Sequence, residues 1–247
     1  MEHTPDPSIL NAVKRVYFGV AMECSAPIFW HRRTEPSTAV VNSGTIYFVN
    51  AGQGTFAITA KHVLEGYEQA LEGQELTCMI AELPIDPLER EIARHPVADI
   101  ATLRFSSEKV AQIGKKVHAP TGMWPPGPPE EDKGVFFGGY RALDRQVSPG
   151  NIEWGFGAYL GIARNVRDGR FSIQFEREFW IPDSELPPPG QGETWGGASG
   201  GPVFAVVSGA VDSWRVTGVI VEHQADMEVF YVHTLTDVLR DGTIRPS

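Results

Sequence analysis

Cysteine is nearly absent, with Cys24 and Cys78 the only two in 247 residues. That scarcity excludes a secreted disulfide scaffold and leaves room for at most one bridge. Basic residues are also few: 21 Lys and Arg stand against 31 Asp and Glu, for a net charge of −10. This is the wrong sign for a protein that grips nucleic acid or an anionic membrane surface, so neither partner is expected. Long apolar runs are missing too. The stretch 9–22 is interrupted by Lys14 and Arg15 and follows an acidic opening, so neither a signal peptide nor a membrane span is expected. These absences lead to the expectation of a soluble, cytoplasmic protein. No fixed period repeats, which excludes solenoids and propellers.

What is present is ordinary globular composition, 42% hydrophobic and 21% charged, with 26 glycines and 19 prolines. That many turn formers imply short strands. Most alternation runs at period two. Thr45-Ile46-Tyr47-Phe48-Val49 and Thr55-Phe56-Ala57-Ile58-Thr59 predict a hairpin across Asn50 and Gly54. Residues 159–166 and 171–175 flank Arg167-Asp168-Gly169-Arg170, a strong hairpin signal. Residues 216–221 and 229–232 predict a third pair. Helical signals are confined to residues 8–20 with Ser8 as cap, 63–71, and 235–240 closed by Gly242. The proline-rich segment 119–134 cannot be an interior strand. It divides the chain into an N-terminal segment with a first barrel (1–118), a connector (119–134) and a second barrel (135–247). Two antiparallel β-barrels are expected.

Three segments carry candidate chemistry. In Thr194-Trp195-Gly196-Gly197-Ala198-Ser199-Gly200-Gly201-Pro202, four glycines surround one serine. Such a turn can aim successive N–H groups into a concavity beside the Ser199 hydroxyl; it is equally a glycine-rich loop around an ordinary serine. His62 follows a strand-like run just where a helix begins, well placed to face a cleft, though most lone histidines are surface or core residues. Asp99 opens the alternating run Asp99-Ile100-Ala101-Thr102-Leu103. It reads either as a turn or capping residue or as the carboxylate that orients a histidine. The segment around Ser199 also satisfies G-x-S-x-G, the nucleophile elbow of α/β-hydrolases. That fold needs its acid and histidine after the serine and alternates strands with helices, and the chain order here excludes it.

Taken together, the three segments resemble the trypsin-like, chymotrypsin-fold serine peptidases, in that family's His, Asp, Ser order. His62 is similar to the histidine of the Thr-Ala-Ala-His motif, with Lys61 in place of the second alanine. Asp99 resembles the aspartate of Asp-Ile-Ala-Leu, and Ser199 the nucleophile of Gly-Asp-Ser-Gly-Gly-Pro. The C-terminal run 229–235 resembles the family's ending. The style is that of disulfide-poor bacterial members. The resemblance implies an all-β fold of two six-stranded antiparallel barrels with a short C-terminal helix, His62 and Asp99 on the first barrel and Ser199 on the second. It implies a serine endopeptidase with His62, Asp99 and Ser199 catalytic and the N–H groups of Gly197 and Ser199 as oxyanion hole. No cofactor or metal is implied, and the remaining histidines show no metal-ligand spacing. The six tryptophans fit core or cleft positions better than a base-stacking platform.

One departure bears on regulation. Digestive members carry an acid before the serine that pairs with a processed N-terminus, whereas Ala198 stands here. Something else must order the oxyanion loop, and activity without N-terminal cleavage is expected. Substrate-binding candidates are Glu193, Gly196, Glu222 and His223. Glu193 stands near the acid of tryptic members, although a solvated loop is the plainer reading. The strand ending at Glu222 implies a pocket wall, with His223 at its mouth, similar to Glu- or Gln-selective branches. A protein or peptide substrate and a regulatory protein partner are expected. A catalytically silent binding module and an esterase on the same scaffold stay open as alternatives.

Overall fold

Alternating apolar residues put one face of each strand into a core, and here they build two antiparallel sheets. The computed structural model describes residues 7–32, 40–148, 151–181, 187–209 and 212–245. The chain runs α1 (Pro7–Glu23), β1 (Ser25–Arg32), β2 (Val40–Asn50), β3 (Thr55–Thr59), α2 (Lys61–Leu71), β4 (Leu76–Ile80), β5 (Leu83–Ile85), β6 (Glu91–Arg94), β7 (Ala101–Arg104) and α3 (Ser107–Gln112). It continues as β8 (Gly134–Ser148), β9 (Asn151–Arg167), β10 (Arg170–Gln174), β11 (Trp180–Ile181), β12 (Pro202–Val207), β13 (Ser213–Gln224) and β14 (Val229–Thr234).

The first sheet has the order β5-β4-β1-β2-β3-β7-β6. The second has the order β10-β14-β13-β12-β8-β9-β11, and an additional pairing joins its end strand β10 to β9. That pairing closes β8, β9, β10, β12, β13 and β14 into a six-stranded ring, with β11 attached to β9. The all-β, two-sheet class expected from the sequence is therefore what forms. Two details differ. The first sheet has seven strands, and among the described residues no ladder joins β5 to β6. The three predicted hairpins form as β2–β3, β9–β10 and β13–β14, with registers such as Tyr47↔Ile58, Arg170↔Arg167 and His223↔Phe230.

The expected C-terminal helix does not form. Residues 235–240 take turns instead, with Val238 N–H donating to Leu235 O and Leu239 N–H to Thr243 O. The segment's carbonyls are taken by turn bonds, Asp237 O by Arg245 N–H and Leu239 O by Gly242 N–H. Local acceptors win: Asp241 Oδ1 accepts from both Thr243 N–H and Thr243 Oγ1, and the Gly242 carbonyl accepts from buried Thr102 Oγ1 at 2.6 Å. Helix α1 begins at Pro7, so Ser8 lies inside it and is not its cap; proline suits the first helical position because its missing N–H would be unpaired there.

One hydrophobic cluster spans both sheets, and a second fills the ring. Helix α1 seats Tyr17 on Phe136 of β8, rings stacked at 4.2 Å, and Phe18 edge-on to Phe156 of β9. Residues 119–133 hold no strand, and β8 opens at Gly134. Arg215 fixes the segment by donating to the carbonyls of Gly127 and Pro128, and buried Trp124 packs on Phe56 of β3. Cys24 and Cys78 are buried free thiols, so the one bridge the sequence allowed is not made; burial pushes both thiols well up. No described helix is long and apolar enough to cross a membrane.

Candidate active site

β3 ends at Thr59, and α2 starts two residues later, so His62 sits in the first turn of a helix. First-turn N–H groups have no helical acceptor. The helix cap Ala60 supplies no side-chain acceptor, and Asp99 does so instead: its Oδ1 accepts the His62 backbone N–H at 2.8 Å. Its Oδ2 meets His62 Nδ1 at 2.6 Å. One carboxylate thus holds both the backbone and the ring of one histidine, at the positive end of a helix dipole. Burial raises the Asp99 carboxyl, but the His62 ring and backbone bonds together outweigh it and leave it below its ordinary value. An ionised Asp99 only accepts, so Nδ1 carries the imidazole proton. Nε2 is left with a free lone pair on a ring whose side chain is 47% exposed.

Asp99 is itself positioned by two histidines absent from the sequence-based site. His95 Nδ1 accepts the N–H groups of Val97 and Ala98 at 3.0 and 2.7 Å, shaping the turn before Asp99. His233, on β14 of the other sheet, accepts the Asp99 N–H through Nδ1 at 2.7 Å. Burial lowers the His233 imidazole, partly offset by the Asp99 charge, and so favours the neutral ring this bond requires. The acid's loop is therefore tied across the two sheets.

Ser199 lies half-buried on the turn that enters β12. Gly197 and Gly200 there have φ of +93° and +91°. Both must be glycine on space as well as conformation: a Cβ at Gly197 would lie 2.6 Å from Tyr140 O, and one at Gly200 would overlap Thr45 O and sit 2.5 Å from Thr59 Oγ1. Gly200 thus abuts the end of β3, which leads into His62, and the Ser199 carbonyl accepts from Thr45 N–H on β2 at 2.8 Å. The serine turn and the His62 helix are in this way docked on the same two strands. Among the described residues the N–H groups of Gly197 and Ser199 donate to no acceptor. The Ser199 hydroxyl likewise makes no hydrogen bond, to His62 or to any other described group.

The four substrate-binding candidates are placed unequally. The Glu193 carboxylate accepts Gly190 N–H at 2.8 Å and closes its own exposed loop. Glu222 is exposed, with Arg170 Nη2 at 3.4 Å and Gln224 Nε2 at 3.1 Å. Gly196 belongs to the serine turn, its carbonyl accepting Ala142 N–H at 2.7 Å. His223 packs its ring on Phe230 at 4.4 Å and near Trp195 at 6.3 Å, and both its nitrogens are buried with no hydrogen-bond partner among the described residues. Burial lowers its pKa to about 4.

No family model and no curated protein matches this chain. Solved structures do resemble it at low identity. A thermostable serine protease from an extremophilic microorganism is 12% identical, with a TM-score of 0.48 over 87% of this chain and 93% of that one. A structure from work on the intrinsically disordered Sesbania mosaic virus VPg protein is 14% identical, with a TM-score of 0.45 over 89% and 97%. The tobacco vein mottling virus protease is 10% identical, with a TM-score of 0.44 over 88% of this chain and 79% of that one.

Proposed function

We propose that this chain is a serine endopeptidase in which Ser199 is the nucleophile, His62 the general base and acid, and Asp99 the residue that orients His62. The observation that carries the reading is the double grip of Asp99 on His62, which fixes the tautomer a base needs. The serine turn, with its two unpaired N–H groups, supports it from the other sheet.

In this reading Ser199 Oγ attacks the substrate carbonyl carbon while its proton passes to His62 Nε2. The carbonyl oxygen becomes an oxyanion and accepts from Gly197 and Ser199 N–H. The C–N bond then breaks, the amine takes the proton from His62, and Ser199 is left as an ester. Water attacks that ester with His62 again as base, and the acid product leaves Ser199 free. Asp99 keeps its negative charge throughout and stabilises the imidazolium. Gly196 and His223 border the serine turn and are the substrate-binding candidates this placement favours; Glu193 and Glu222 are engaged elsewhere.

A silent binding module is the second reading, favoured by the missing bond between Ser199 and His62. Catalytic hydrogen bonds commonly tighten only when substrate arrives, so the missing bond does not displace the first reading. Incubation with a peptide library, read by mass spectrometry, decides. The peptidase reading expects new cleavage products that vanish with S199A, from a narrow set of sequences rather than broad digestion of casein. An intact library after incubation with wild-type protein overturns it. Turnover of acyl esters without any peptide cleavage indicates the esterase.

A further inference from the structure

The serine turn has to be held in one conformation if two neighbouring N–H groups are to meet one oxyanion, and residues 195–201 form no ladder of their own. A peptide unit is planar, with its C=O and N–H pointing in opposite directions, so a donor that fixes the carbonyl also fixes the N–H of the same unit. Four consecutive units matter here, and each has its carbonyl held. Gly196 O accepts from Ala142 N–H at 2.7 Å, which fixes the unit bearing the Gly197 N–H. Gly197 O accepts from Thr45 Oγ1 at 2.8 Å. Ala198 O accepts from Gly201 N–H at 2.9 Å, which fixes the unit bearing the Ser199 N–H. Ser199 O accepts from Thr45 N–H at 2.8 Å.

Three of these four donors are main-chain groups, and the Thr45 hydroxyl is the single side chain among them. Its direction is determined by valence. Tyr140 N–H, which can only donate, donates to Thr45 Oγ1 at 3.0 Å, so the hydroxyl proton goes to Gly197 O. Thr45 is fully buried, and its carbonyl in turn accepts from Thr59 Oγ1 at 2.8 Å. One residue of β2 therefore ties together the serine turn, β8 of the second sheet and the strand that leads to His62.

We propose that Thr45 is a positioning residue for the oxyanion site, its hydroxyl holding the Gly197–Ala198 peptide so that the N–H groups on either side converge. This rests on the peptidase reading, and it identifies what orders the turn where Ala198 offers no charge to do so. The hydroxyl, not the bulk of the side chain, is what matters. The interaction acts on the oxyanion and hardly on the bound ground state, so its loss appears in kcat.

The test compares T45V, T45S and the control T102V on a peptide cleaved by the wild type, assayed below every variant's melting temperature. Thr102 is also buried and also donates its hydroxyl to a distant carbonyl, that of Gly242, and so matches the loss in stability without touching the turn. T45V is expected to lower kcat by ~10- to 100-fold, less than outright removal of an oxyanion donor, with KM within about threefold. T45S is expected to retain kcat within about threefold, and T102V to match the wild type in kcat. If T45V does not fold, T45A takes its place, since it removes the same hydroxyl without adding an apolar methyl against Tyr140 N–H. An unchanged kcat in T45V, an equal loss in T102V, or a loss in T45S as large as in T45V overturns the role of Thr45 while leaving the peptidase reading intact. Absence of any turnover that depends on Ser199 in the wild type removes the peptidase reading, and this role with it.

Discussion

Asp99 makes two bonds to one histidine, and the two serve different ends. The bond to the His62 backbone caps α2, while the bond to Nδ1 sets the tautomer. D99N retains the side chain's shape, but its amide presents a donor where the ionised carboxylate only accepts, and the ring is free to adopt the wrong tautomer. In the peptidase reading D99N lowers kcat by roughly 10⁴-fold, measured on the best library peptide. His233 acts one step further out. H233L removes the acceptor of Asp99 N–H and leaves that half-buried group unpaired. It is expected to lower kcat several-fold, and H233Q, whose amide oxygen still accepts, to restore part of the loss; equal activity in H233L and wild type contradicts a positioning role for His233. At this scale His62, Asp99 and Ser199 stood out as candidates because each lies in a short motif, and the structure pairs the first two. His95, His233 and Thr45 were not, because each binds a main-chain group, and main-chain partners leave no trace in the sequence.

Elements were legible wherever a local signal had no competitor. The β9–β10 hairpin follows directly from Asp168-Gly169, and the β2–β3 pair from two β-branched runs around glycine. The segment at 235–240 had equal local promise as a helix and folded as turns, its carbonyls at Leu235, Asp237 and Leu239 accepting from Val238, Arg245 and Gly242 N–H. The seventh strand of the first sheet was invisible for a similar reason: β5 has three residues, and only its pairing with β4 makes it a strand. The serine turn is the element on which the site most depends. G200A forces an alanine to a φ near +91° with its Cβ against Thr45 O and Thr59 Oγ1. It is expected to destabilise the fold by at least ~2 kcal/mol, read as a lower urea midpoint at unchanged slope. A midpoint equal to wild type would contradict the close packing of the turn on β2 and β3.

The whole molecule is two sheets joined through a shared core and through polar ties that end at the site: Thr45 to Gly197 and Tyr140, and Asp99 to His233. Its stability has a direction in pH. His118 and His223 are held neutral, with pKa values lowered by burial to about 4 against an unfolded value near 6.5. Below the unfolded value the open chain takes up protons that these folded rings refuse. Stability is therefore full above about pH 6.5 and falls as the pH drops from there toward 4. Urea midpoints at pH 7.5, 5.5 and 4.5 are expected to decrease in that order, and H118Q to flatten the decline; a midpoint constant over this range contradicts buried neutral histidines. The net charge of −10 gave no hint of these ties.

The central claim is that Ser199 is a nucleophile activated by His62. Its most direct test is reaction with a fluorophosphonate, followed by mass mapping of the modified peptide. The wild type is expected to gain one adduct at Ser199, H62A to react far more slowly, and S199A not at all. An unlabelled wild type, or S199A labelled as fast as the wild type, contradicts the claim.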